Sequence, residues 1–194
     1  MDLNREGWLT SVASVMEPLF TAKGFKIKRP YRLTCGWPVQ FARSIKNRRI
    51  GECHNYTTST GGVFEVFISP VLDKPLDVIG TVCHELIHVA VGTEVGHAGK
   101  FKQACKYLGM AGKPTSAMPG QALAEQLAKL VEPFGAYPHK AIKVETKPIK
   151  PGPKWLKLEC VCGCVVRIQE GHLEDHGSPV CGCGNLFTAE EEDE

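Results

Sequence analysis

His84, Glu85 and His88 stand in the stretch Thr81-Val82-Cys83-His84-Glu85-Leu86-Ile87-His88, an H-E-x-x-H pattern. On a helix, positions i and i+4 lie one turn apart, so His84 and His88 leave the same face. Two neutral imidazoles placed this way can share one Zn²⁺. Glu85, about 100° further round by the helical repeat, can reach a water at the metal. Zinc lowers the pKa of such a water towards ~7 and a neighbouring carboxylate takes the proton, which is the chemistry of hydrolysis. A third ligand stands in Val95-Gly96-His97-Ala98-Gly99-Lys100-Phe101. A loop of this length can return His97 to the helix and leave a fourth position open.

A second set of ligands lies near the C-terminus. Cys160-Val161-Cys162-Gly163 and Cys181-Gly182-Cys183-Gly184 are both C-x-C-G. Two such knuckles joined by a hairpin predict a closed, structural Cys₄ zinc site made by Cys160, Cys162, Cys181 and Cys183. Cys164 is an alternative ligand, and His172 and His176 are weaker ones. A module of this size cannot bury enough apolar surface alone, so the metal must supply folding energy. The other cysteines, Cys35, Cys53, Cys83 and Cys105, are scattered and read as small, buried apolar residues. Short spacings of this kind indicate metal binding in a reducing compartment rather than a disulfide framework.

The elements that must position these residues follow from periodicity. A helix is expected over 4–22, capped by Asn4, with Trp8, Val12, Val15, Met16 and Leu19 at helical spacing. Short strands are expected around Arg32–Cys35 and Ile50–Tyr56, and another over Val63–Ile68. The metal-binding helix should run from Pro75 to Val91: Pro75 suits its first turn, Asp77 its positive end and Gly92 its stop. Further helices are expected over Lys100–Leu108 and Gln121–Val131, with Met118-Pro119-Gly120 as the turn before the last. The strand directly upstream of the metal helix is expected to be an edge strand over the cleft, open to an extended peptide.

The chain has 194 residues, 43% of them hydrophobic, enough for one domain with a core and a small appendage. No apolar run approaches the ~20 residues of a membrane span. The N-terminus has no signal-peptide pattern, and a cytoplasmic location is expected. The net charge is only +2, but residues 21–50 hold Lys23, Lys26, Lys28, Arg29, Arg32, Arg43, Lys46, Arg48 and Arg49 with no acid. Residues 139–154 are rich in Pro and Lys and read as an extended basic linker. The chain ends on an acidic run, Glu190-Glu191-Glu192-Asp193-Glu194. The basic stretches are candidate phosphate contacts.

H-E-L-I-H followed by a third histidine in the setting G-H-x-x-x-F resembles the SprT-like zinc metallopeptidases, which include Spartan-type DNA–protein crosslink proteases and small bacterial and bacteriophage members. The metzincin pattern is excluded, because Val91 and Glu94 occupy its glycine and third-histidine positions. Two departures from the resembled family stand out. Ala98 follows His97 where the family usually has glycine, and both knuckles are C-x-C where it has C-x-x-C.

The resemblance implies an α+β, zincin-like metallopeptidase domain over 1–138, the linker 139–154, a zinc ribbon over 155–188 and an acidic tail 189–194. It implies a catalytic Zn²⁺ on His84, His88 and His97, with Glu85 as general base, and a structural Zn²⁺ on the cysteines. The implied substrate is protein, with DNA as a partner and no membrane. Tyr107, Tyr137 and His139 are candidates for a second oxyanion donor. The rival readings are a non-catalytic, zinc-containing DNA-binding protein and a metal-dependent hydrolase acting on a bond other than a peptide.

Overall fold

The computed structural model describes residues 4–44, 47–144 and 152–189. The chain is mixed α+β with small sheets and divides into two compact units, Met1–Glu145 and Thr146–Glu194. Lys46, the stretch 145–151 of the expected linker and the acidic run 190–194 lie outside the described residues.

In the first unit, helix α1 (Arg5–Ala22) begins at Asn4, whose side-chain oxygen accepts from the Gly7 N–H at 2.7 Å. That bond satisfies one of the amides a helix start leaves open. Trp8, Leu9, Val12, Ala13, Met16 and Phe20 form its buried stripe. Strands β1 (Tyr31–Cys35), β2 (Gly51–His54) and β3 (Phe64–Ile68) make a sheet in the order β1-β3-β2. β1 runs parallel to β3, and β2 antiparallel to it.

The strand before the helix expected to hold the metal is therefore the central strand, not the expected edge. The reason lies in its side chains. Phe64, Val66 and Ile68 are all buried, so β3 gains most from neighbours on both sides. β2, with the sequence Gly-Glu-Cys-His, takes the edge instead.

Helix α2 (Pro75–Val91) starts on Pro75 and ends at Gly92, which has φ of 101°. Every residue from Val78 to Val89 is buried. A helix buried all round is a core element rather than an amphipathic surface one. Helix α3 (Gly99–Leu108) closes with Gly109 in the left-handed region. Met118-Pro119, expected as a turn, pairs as β5 (Met118–Pro119) with β4 (Met110–Ala111). This hairpin packs on Gly80 of α2, where a Cβ would stand 2.8 Å from Pro119 Cδ. The missing side chain lets the hairpin approach α2. Helix α4 (Gln121–Val131) adds Leu123, Leu127 and Val131 to the core. Residues 139–142 are tied back to this unit: His139 Nε2 lies 2.9 Å from the Pro70 carbonyl oxygen, and the Ile142 N–H donates to the same oxygen at 2.8 Å.

In the second unit, β6 (Trp155–Glu159), β7 (Val165–Gln169) and β8 (Thr188–Ala189) form an antiparallel sheet in the order β7-β6-β8. A short helix α5 (Glu170–His176) follows β7, where the sequence suggested only a hairpin. The buried core is Leu158, Cys160, Cys181 and Phe187.

Candidate metal centre

His84 and His88 leave the same face of α2, one turn apart. The chain then turns through Gly92, a short 3-10 segment (Thr93–Val95) and Gly96, and brings His97 back over them. The Nε2 atom of His97 lies 3.2 Å from Nε2 of His84 and 3.2 Å from Nε2 of His88. Two nitrogens on one tetrahedral zinc, at 2.0–2.1 Å each, stand about 3.3 Å apart, so the three histidines fit a zinc ion. The ring of Phe101 on α3 lies beneath all three imidazoles, with centroids 5.1, 4.3 and 4.8 Å from His84, His88 and His97.

The second nitrogen of His84 decides its tautomer. Nδ1 stands 3.2 Å from the Ala117 carbonyl oxygen, so Nδ1–H donates and Nε2 keeps its lone pair for a metal. Ala117 lies just before β5, which explains why the hairpin's approach at Gly80 matters. Burial lowers the pKa of His84 to about 4 and of His88 to about 3. Both rings are neutral at pH 7 and able to bind a cation.

Glu85 is buried beside them. Burial pushes its carboxyl up to about 8; the Glu52 charge adds to the rise and the Arg49 charge opposes it. The space for the carboxylate comes from Gly51 on β2: a Cβ there would clash with Glu85 Oε1 and lie 2.6 Å from Thr81 Cγ2. A glycine inside a strand pattern often marks such a close approach, and this one was the available signal in the sequence. Phe101 stood in the G-H-x-x-x-F setting, whereas Glu52 and the Ala117 carbonyl carried no signal in the sequence.

Ala98, the departure after His97, caps α3 with extended backbone, while Gly99 takes φ of 45°. An alanine is at ease in the first conformation and a glycine in the second.

The three expected oxyanion candidates lie elsewhere. Tyr137 is buried against Trp8, with ring centroids 5.0 Å apart. Tyr107 is exposed beside Phe25, and His139 faces Pro70. Cys53 and His54 join no group of potential metal ligands among the described residues. Cys83 and Cys105 are buried; Cys35 and Cys53 are half-buried.

Cys160, Cys162, Cys181 and Cys183 converge in the second unit, their sulfurs all within 4.8 Å of one another. Cys160 and Cys183 sulfurs are 3.4 Å apart, and those of Cys162 and Cys181 are 3.6 Å apart. Thiolates bound to zinc at 2.3 Å stand about 3.8 Å apart, so this set also fits. The two knuckles repeat one backbone pattern. Gly163 N–H donates to the Cys160 carbonyl at 2.7 Å and Cys160 N–H to the Cys164 carbonyl at 2.9 Å. Gly184 N–H donates to Cys181 at 2.8 Å and Cys181 N–H to Asn185 at 2.7 Å. Gly163 and Gly184, at φ of 82° and 89°, close turns one residue shorter than C-x-x-C.

Cys164 thus occupies the position of Asn185 and adds a carbonyl rather than a sulfur. His172 and His176 sit on α5, their rings stacked on each other at 5.8 Å, and do not join the cluster. The Asn185 amide and backbone N–H lower the Cys183 thiol to about 6, which favours the thiolate a metal needs.

Among the described residues, no helix is long and apolar enough to cross a membrane. No model of a known protein family, no curated protein and no solved structure matches this chain.

Proposed function

We propose that the Met1–Glu145 unit is a zinc-dependent peptidase of the SprT-like type with a zincin-like cleft, and that the Thr146–Glu194 unit is a zinc ribbon that helps to hold nucleic acid. One observation carries this reading: three histidine Nε2 atoms converge at ligand spacing beside a buried carboxylate. Burying a carboxylate is costly, and a purely structural zinc site gains nothing from it. A catalytic site does.

Zinc in the histidine site supplies Lewis acidity, which acidifies water and polarises a carbonyl. Glu85 accepts the proton of the attacking water and delivers it to the leaving amine nitrogen. The Ala117 carbonyl holds His84 in the ligating tautomer. The edge strand β2, with Gly51 against Glu85, offers its outer backbone to an extended polypeptide beside the base.

The nucleic-acid part rests on surface chemistry. On one face of the β6–β7 hairpin, Trp155 is 57% exposed, and Lys157 pairs in register with Arg167. Lys157 also lies 3.5 Å from Glu159, so its charge is partly engaged within the protein, and the exposed indole suits base stacking. In the first unit, Lys26, Lys28 and Arg29 line a cavity of about 850 Å³. Arg29, Arg32 and Arg49 are ion-paired with Glu17, Glu65 and Glu52, so part of the basic stretch is already engaged within the protein.

The test compares zinc-loaded wild type with Glu85→Gln on a DNA-bound protein, with and without single-stranded DNA. Turnover of Glu85→Gln should fall by ~10²–10⁴-fold with zinc retained. Equal rates in the two proteins would leave a non-catalytic, zinc-containing DNA-binding protein as the reading.

A further inference from the structure

We infer that Asn55 is a positioning residue of the histidine site: from the end of β2, its side-chain amide holds the Thr93–Val95 turn and, through that turn, His97. The inference rests on zinc binding by the three histidines and needs no step of peptide hydrolysis.

Asn55 follows His54, the last residue of β2, and its amide is engaged on both sides. Oδ1 accepts from the Thr57 N–H and from the Thr57 hydroxyl, each at 3.0 Å, which caps the short 3-10 turn Tyr56–Thr58. The Asn55 carbonyl accepts from the Thr58 N–H at 2.9 Å. With the side-chain oxygen held in its own turn, the nitrogen end is aimed away from it. Nδ2 donates to Thr93 Oγ1 at 2.9 Å and to Glu94 Oε2 at 3.3 Å. The second of these is a bond to a carboxylate, the stronger kind.

The bonds land on the segment that carries the third ligand. Gly96 N–H donates to the Thr93 carbonyl at 3.1 Å and Ala98 N–H to the Val95 carbonyl at 3.3 Å, so His97 stands between two bonded neighbours. Glu94 folds back over Gly92, where any Cβ would collide with its carboxylate. Gly92 and Gly96, at φ of 101° and 53°, flank the turn with the two most permissive residues a chain can place there. Bonds from outside the turn therefore decide where His97 stands, and Asn55 supplies them. β2 serves the site at both ends: Gly51 makes room for Glu85 at its start, and Asn55 holds the third-ligand turn just past its last residue.

The experiment measures the zinc affinity of the histidine site in the full chain by chelator competition. It is followed at the imidazole NMR signals of His84, His88 and His97, with metal-free melting of the first unit as the fold control. Asn55→Ser keeps an oxygen for the Thr57 N–H but is too short to reach the turn. It should weaken zinc by about tenfold or more, the low end of what outer partners of a metal ligand contribute. Asn55→Asp also caps the 3-10 turn, but it sets a carboxylate against Glu94. It should weaken zinc as well, although a negative charge near a cation by itself tightens binding. Adding Glu94→Gln to Asn55→Asp exchanges donor and acceptor at the wild-type net charge and should recover most of the lost affinity. Wild-type zinc affinity in Asn55→Ser would overturn the inference. So would a loss in Asn55→Asp that Glu94→Gln does not recover, and this exchange decides the case even where Asn55→Ser lowers the melting temperature. Imidazole signals of the wild type that do not respond to zinc would instead overturn the histidine metal site itself. Absence of peptide cleavage would leave these readouts untouched.

Discussion

Glu85 carries opposite consequences for activity and stability. Its carboxyl titrates near 4.5 in an unfolded chain and at about 8 in the metal-free fold, where burial disfavours the charge. The metal-free fold therefore loses stability as pH rises from 4.5 to 8, and Glu85 contributes nothing of this below 4.5. Glu85→Gln removes the effect. In chelator-treated protein, the melting of the first unit should rise in Glu85→Gln by a few °C at pH 8, with the gain vanishing at pH 4. His84 and His88 titrate in both proteins and cancel in the difference. A variant that melts with wild type at pH 8 would mean the carboxylate is well solvated.

Gly51 gives a second prediction at this scale. Gly51→Ala introduces a methyl against Glu85 Oε1 and Thr81 Cγ2. Overpacking of this kind costs about 1–3 kcal/mol. The expected result is lower stability and lower turnover together, read by denaturant unfolding and peptidase assay.

At the scale of elements, the site is one helix, one returning turn and one hairpin. The turn is the most demanding of the three. Gly96 sits at φ 53° and ψ −133°, a region open essentially to glycine. Gly96→Ala should cost about 1–3 kcal/mol or relax the turn and displace His97. Either way zinc affinity at the histidine site should drop by an order of magnitude or more, as competition with a chromophoric chelator would measure. The α2 helix itself should persist, because its burial from Val78 to Val89 does not depend on the turn. Unchanged zinc affinity in Gly96→Ala would mean that the turn does not place the third ligand.

At the scale of the whole molecule, the two units are stabilised by different means. The first has an extensive apolar core drawn from all its helices and from the central sheet. Among the described residues, the second buries four, two of them cysteines. So small a core needs a further stabiliser, and the four cysteines could hold a metal that supplies it. Replacing Cys181 and Cys183 with serine should take the zinc content from about two per chain to about one. It should unfold the second unit, seen as loss of its dispersed amide signals in NMR, while the first unit melts as before. Zinc content that stays unchanged would remove the Cys₄ site.

The sequence determined local things: the caps, the helix bounds and the presence of two ligand sets. Pro75 and Gly92 bracket α2 by backbone rules that hold before any packing, and the i, i+4 spacing alone put His84 and His88 on one face. The paired C-x-C-G knuckles likewise carried their turn in the glycine that follows each. What only the tertiary structure decided concerns partners far apart in the chain. Sheet order is set by which strand buries most on both sides, so β3 lies in the middle and β2 meets Glu85. The pairing of Met118-Pro119 with Met110–Ala111 depends on a gap at Gly80 some forty residues earlier. That packing brings the Ala117 carbonyl to His84. Arg49 reads as one of a run of basic residues until the fold pairs it with Glu52. Spacing along a chain fixes local geometry, but burial and long-range pairing are settled only when distant elements compete for the same core.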